Sequence, residues 1–166
     1  MGCCRHVTVS SDASEDDLVR SLYGPLRKFA AVVASSDVDP DDLVHDAFAN
    51  VMRTRRLGEI EFPEAYLRRA ILNGARNDRR NRWRLRSLLA RLAARESVAV
   101  SYQSDLADLE RLSPQARAVL YLKVVEGYAY AEIAAMLGIT EEAARARASR
   151  SATQLRLVLI EELGRG

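Results

Sequence analysis

YAEIAAMLGITEEAARARASR, residues Tyr130–Arg150, reads as two short helices meeting at a tight turn. Ile133, Ala134 and Leu137 make an apolar face at helical spacing, Gly138 follows as a helix-ending residue, and Ile139 packs the turn. Thr140 then caps a second helix that opens Glu141-Glu142 and continues past Arg150. Glycine suits position 138 because the turn calls for a left-handed backbone, and alanine suits 134 because the two helices cross there. Two helices joined by a short turn containing glycine form the helix-turn-helix arrangement. Its second helix would lie in the major groove and offer Arg145, Arg147 and Arg150 to base edges and phosphates. A plain helical hairpin with a solvated arginine face carries the same local pattern, so the function has to be argued from the whole chain. Ala144 and Ala148 stand where a larger aliphatic residue would normally pin the recognition helix. Glu141 and Glu142 repel phosphate but suit a helix N-terminus.

Upstream, Ser113-Pro114 starts another helix carrying Val119, Leu120, Leu122 and Val124, with Gly127 as its stop. Leu106, Leu109 and Leu112 precede it. Periodicity is lost between Glu96 and Ser104. We therefore expect two small helical domains, residues 14–92 and 107–166, joined by a linker over 93–106, with residues 1–13 disordered.

The first of these domains is electrostatically divided. Residues 63–95 hold ten arginines against Glu64 and Asp78, a net of +8, while residues 1–62 carry a net of −4 and the chain as a whole +2. Such a split points to two partners, one of them polyanionic. Pro63-Glu64 opens the basic helix, with Leu67, Ala70, Ile71 and Gly74 on one face. Asn73, Asn77, Asn81, Tyr66 and Trp83 are interleaved with its arginines. Arginine neutralises phosphate, asparagine reads base edges and aromatic rings stack on unpaired bases, so the block suits a nucleic-acid strand.

Leu57–Phe62 reads as a loop. Before it, Asp39-Pro40-Asp41-Asp42 starts a helix with a buried stripe of Leu43, Val44, Ala47, Phe48 and Val51 that Gly58 ends. Asp42, His45, Asp46, Asn50 and Arg53 lie away from that stripe. The first helix begins at a Ser14 cap with Glu15-Asp16-Asp17 and repeats Leu18, Leu22, Leu26, Phe29 and Val33. Pro25 inside it predicts a kink or break. No strand pattern is present, and the fold class is all-α.

No run of eighteen apolar residues exists, which excludes a membrane span. The first residues lack a secretory apolar core, and His6 stands where a myristoylation motif wants Ser or Thr, so a cytoplasmic protein is expected. Cys3 and Cys4 are the only cysteines and cannot build a disulfide framework. With His6 they read as a frayed terminus, and neither a metal nor another cofactor is expected. His6 and His45 are the only histidines, and neither has triad or metal-ligand spacing, so an enzyme is the least favoured class.

Three segments, in order, resemble one family. Asp41-Asp42-Leu43-Val44-His45-Asp46-Ala47-Phe48 resembles the part of sigma factors that docks on the clamp helices of RNA polymerase. Phe62-Pro63-Glu64-Ala65-Tyr66-Leu67-Arg68-Arg69-Ala70-Ile71-Leu72-Asn73 resembles the promoter-melting helix that follows. Leu112–Leu120 and Gly127–Ala134 resemble the C-terminal domain. Together they are similar to the extracytoplasmic-function (ECF) class of the sigma-70 family, from about Ser14 to the end. Tyr66 stands where Trp is common, His45 where Gln is common, and Ala143-Ala144 where Thr-Val is common.

The resemblance implies roles for particular residues. Asp42, His45, Asp46 and Asn50 would meet core RNA polymerase. Leu57–Phe62, with Phe62 itself, Ala70 and Asn73, would form a pocket for a flipped base of the −10 element, with Tyr66 beside it. Arg69, Arg76, Asn77, Arg79 and Arg80 would hold the adjoining backbone. Thr140, Arg145, Ala146, Arg147 and Arg150 would meet the duplex −35 element. An anti-sigma partner is implied by the same analogy. Two alternatives stay open: an autonomous helix-turn-helix regulator, which needs a dimer interface, and a sigma-like interaction module that has lost DNA binding.

Overall fold

The computed structural model describes residues 15–92, 109 and 111–163. The expected terminal segment 1–13, the Ser14 cap and the expected linker 93–106 lie outside them. The described residues form helices joined by turns and short loops, with no strand among them.

Helix α1 spans Glu15–Val33 and buries Leu18, Leu22, Leu26, Phe29, Ala30 and Val33 on one stripe. The helix continues through Pro25. Pro25 is on the exposed face, where water can satisfy the carbonyl that proline's missing N–H leaves free. Helix α2 spans Pro40–Met52, shorter than the expected stop at Gly58. Asp39 caps it by accepting from the Asp41 N–H, and proline fills the first turn, where a missing donor costs nothing. The segment expected to be a loop contains a short 3-10 turn, Leu57–Glu59. Leu57 is fully buried, and its N–H donates to the Glu15 carboxylate at 3.0 Å, which ties this turn to the start of α1. Helix α3, Pro63–Leu92, crosses α2 closely at Gly74. A Cβ there would sit 3.2 Å from the Leu43 side chain.

The second half begins with α4, Pro114–Leu120, capped by Ser113, which accepts from the Ala116 N–H. It widens into a π turn over Tyr121–Val125, and Gly127 follows at φ 77°. Helix α5 spans Tyr130–Leu137 and α6 spans Glu141–Leu163. Gly138 closes α5 at φ 67°, ψ 43°, and the Ile139 N–H returns to the Ala134 carbonyl. This is the left-handed helix ending that glycine adopts at least cost. Thr140 caps α6 by accepting from the Ala143 N–H at 3.1 Å. Ala144, Ala148 and Ser151 are buried where α6 packs on α4 and α5, so small residues at this seam give a close approach.

One continuous apolar core runs through both halves. Helix α4 packs on α1 and α3, and α5 packs on α3. Phe29 meets Tyr121 edge-on with ring centroids 6.1 Å apart, and the buried Arg117 donates to the Ala34 carbonyl at 2.6 Å. The helix-turn-helix is thereby seated against the basic helix.

Candidate nucleic-acid interface

Helix α3 has three working faces. Leu67, Ile71 and Gly74 face α1 and α2. A second face, with Arg68, Leu72, Ala75 and Arg79, meets the second half or its edge. The third, with Tyr66, Asn73, Arg76, Asn77 and Arg80, is exposed. Phe62 and Tyr66 are 49% and 41% exposed, unusual for rings that size, and Ala70 lies half-buried near them. The Arg55 guanidinium lies over the Tyr66 ring, 5.7 Å from its centroid. Aromatic rings beside guanidinium and amide groups match the requirements of an unstacked base: a platform, an edge reader and phosphate neutralisation.

Two arginines of the expected strand-holding set are engaged with the second half in this conformation. Arg69 donates to the Ala135 carbonyl at 3.0 Å, near the C-terminus of α5, and Arg79 donates to the Leu112 carbonyl at 3.1 Å. Arg76, Arg79 and Arg80 line a cleft of about 390 Å³ whose opposite wall is Ser113, Pro114 and Gln115.

Arg68 has no counterpart in the sequence reading. It is 1% exposed, and its guanidinium bridges Glu64 of its own helix at 2.6 Å and Glu126 of the second half at 2.7 Å. It touches the Met136 sulfur at 3.5 Å and lies over the Phe29 and Tyr128 rings. Burial raises the Tyr128 and Tyr121 phenols above their ordinary range, so both stay neutral. The Glu64–Arg68 spacing of four was visible in the chain. Its partner 58 residues away was not.

On α2 the predicted residues share a solvent face: Asp42, His45, Asp46 and Asn50 are all exposed. His45 lies against Tyr23 with ring centroids 5.8 Å apart, and Asn50 accepts from Arg53 at 2.9 Å. Asp41, beside them, accepts from Tyr23 at 2.7 Å and from Arg27 at 2.9 Å. Those bonds, the Tyr23 one first, hold its carboxyl below the usual value.

On α6, Thr140, Arg145, Ala146 and Arg150 are exposed and Arg147 is half-buried. Arg145 is held by Glu141 at 2.6 Å and lies over the Tyr130 ring, while Lys123 approaches that ring at 4.9 Å. The hydrogen bond to Glu141 holds the Arg145 charge above its already high ordinary value. Arg147 and Arg150 donate back to the Ala143 and Ala146 carbonyls.

Comparison with known proteins decides what these faces belong to. Residues 18–85 match the model of sigma-70 region 2 and residues 109–155 that of sigma-70 region 4. RNA polymerase sigma factor CarQ of Myxococcus xanthus is 31% identical over 165 residues, covering 92% of each chain. The chain is an ECF sigma factor of the sigma-70 family. The solved structure of sigma factor RpoE in complex with the anti-sigma factor NepR, from Bartonella quintana, matches it with a TM-score of 0.62 at 25% identity. That match covers 87% of this chain and 95% of that one. This sigma factor directs transcription initiation, binding core RNA polymerase and promoter DNA as its family does. Among the described residues no helix is long and apolar enough to cross a membrane. Cys3, Cys4 and His6 lie outside the described residues, among which no group of metal-ligating side chains is gathered.

Proposed function

We propose that this cytoplasmic sigma factor divides its work among three helices. The observation that carries this reading is the segregation of exposed charge: carboxylates on α2, arginines with asparagines and rings on α3. Asp42, His45, Asp46 and Asn50 dock on core polymerase. Phe62, Tyr66, Ala70 and Asn73 receive an unstacked base of the −10 strand, with Tyr66 as the platform. Arg69, Arg76, Asn77, Arg79 and Arg80 neutralise the neighbouring phosphates. Thr140, Arg145, Ala146, Arg147 and Arg150 meet the −35 duplex from α6 in the major groove.

Region 2 extends over about residues 14–92 and region 4 over 107–166, with the link at 93–106. No group in this scheme performs bond chemistry; strand separation is driven by stacking and charge neutralisation. Two weak grips on DNA become strong only when polymerase holds both at the right distance. The free chain therefore binds promoters weakly and with steep salt dependence. By likeness to the RpoE–NepR pair, an anti-sigma factor is a further partner.

Run-off transcription with core polymerase tests the reading: start-site choice changes when this protein is added. Failure to co-elute with polymerase, or tight operator binding by the free chain, would sink it, the latter in favour of an autonomous regulator.

A further inference from the structure

We infer that Glu141 and Tyr130 are positioning residues that aim Arg145 as a reader of guanine in the upstream duplex. The inference rests on the −35 role given to α6 above. Arg147 and Arg150 bond back to carbonyls of their own helix, and neither is paired with a carboxylate among the described residues. Arg145, though exposed, is held at two points. Its Nε and Nη2 both donate to Glu141 Oε1, at 3.1 and 2.6 Å. Its guanidinium also lies 5.2 Å from the centroid of the Tyr130 ring, at the start of α5. Lys123, which donates to the Tyr128 carbonyl at 3.2 Å, lies 4.9 Å from the same centroid and ties that ring to the π turn.

Glu141 occupies the side of the guanidinium formed by Nε and Nη2. The outer edge, Nη1 beside Nη2, has no second acceptor among the described residues. Parallel N–H groups on that edge match the paired acceptors O6 and N7 that guanine shows in the major groove. Adenine puts a donor in place of O6, and neither pyrimidine shows such a pair. A long exposed side chain loses rotamer freedom when it is fixed on a base, and that loss weakens the contact. Arg145 has given up part of this freedom before DNA arrives, so more of its pairing goes into discrimination. The same ion pair answers the repulsion expected of Glu141, because its charge is matched by Arg145 before any phosphate approaches. An exposed pair of this kind adds little to stability, so its loss is read in base choice and not in the fold.

The test is run-off transcription by core polymerase with the full chain, on a promoter that this holoenzyme uses, randomised over the upstream element. Base preference is read position by position as a ratio within each variant, so a general change in stability or affinity cancels. The parent protein is expected to favour guanine at one position by at least about tenfold, and Arg145→Ala to erase that preference. Glu141→Asp keeps the charge at the helix start but withdraws the carboxylate by a methylene. It and Tyr130→Leu are each expected to cut this one preference about two- to fivefold and leave the other positions as they were. Tyr130→Gln replaces Tyr130→Leu if the leucine variant does not fold. Glu141→Gln keeps an acceptor at the same reach and Tyr130→Phe keeps the ring, and both are expected to retain most of the preference. Whichever of Glu141→Asp and Tyr130→Leu leaves the preference intact removes that residue from the positioning role. A loss spread evenly over all positions overturns the role for both. If Arg145→Ala itself changes no preference, the −35 assignment of Arg145 falls, and the aiming with it.

Discussion

Single residues carry much of the geometry here. Gly138 needs its left-handed backbone, and an added Cβ would sit 2.9 Å from the Arg69 guanidinium. Gly138→Ala is therefore expected to lower stability by about 1–2 kcal/mol from backbone strain. It also dislodges Arg69 from the Ala135 carbonyl, and urea unfolding measures the first effect. Asp41 supplies a pH-dependent tie between α1 and α2. Its folded value lies below the ordinary 3.8, so the tie is fully present above that value and is lost as pH falls through the lower folded one. Asp41→Ala should lower the unfolding midpoint near neutral pH and change it less at a pH below 3.8, as the native carboxyl begins to take up its proton. A midpoint difference equal at both pH values would show that Tyr23 and Arg27 draw nothing from the charge.

The element that matters most is α6. Its sequence looks underpacked because alanine stands at 144 and 148, yet Ala144 is fully buried and Ala148 nearly so. The helix is seated by proximity, with backbones close enough that a methyl group fills the gap. Ala144→Leu is thus expected to overpack the seam and cost about 1–3 kcal/mol, seen as a lower thermal midpoint. Capping contributes separately: Thr140→Ala removes the acceptor for the Ala143 N–H and should cost about 1 kcal/mol. Replacing Arg145 and Arg147 together with alanine leaves this packing alone and, under the proposed −35 role, abolishes dependence on the upstream element in run-off transcription. Unchanged dependence would favour an interaction module over a DNA reader.

At the scale of the whole molecule, the shared core predicts that the free protein unfolds in one cooperative transition, because α4 and α5 complete the burial of α1 and α3. Scanning calorimetry of the full chain should show a single peak. Two resolved transitions would mean that the halves unfold independently.

Helix positions, caps and the charge division were legible in the chain itself, since periodicity and capping act over three or four residues. That is why Asp39, Ser113, Gly138 and Thr140 have the roles their neighbours imply. The stripe from Leu18 to Val33 was legible on both sides of Pro25, but that the helix runs unbroken through it and that Leu57 starts a turn were not, because solvent exposure at one site and Glu15 at the other decide them. Tertiary structure alone determined that Arg68 is buried while Arg76 and Arg80 of the same block are exposed, and that Arg69 and Arg79 turn toward the second half. Their partners lie 58, 66 and 33 residues away, beyond the reach of any local pattern. An arginine's chemistry is written in the chain, but the surface it faces is set only when distant helices pack.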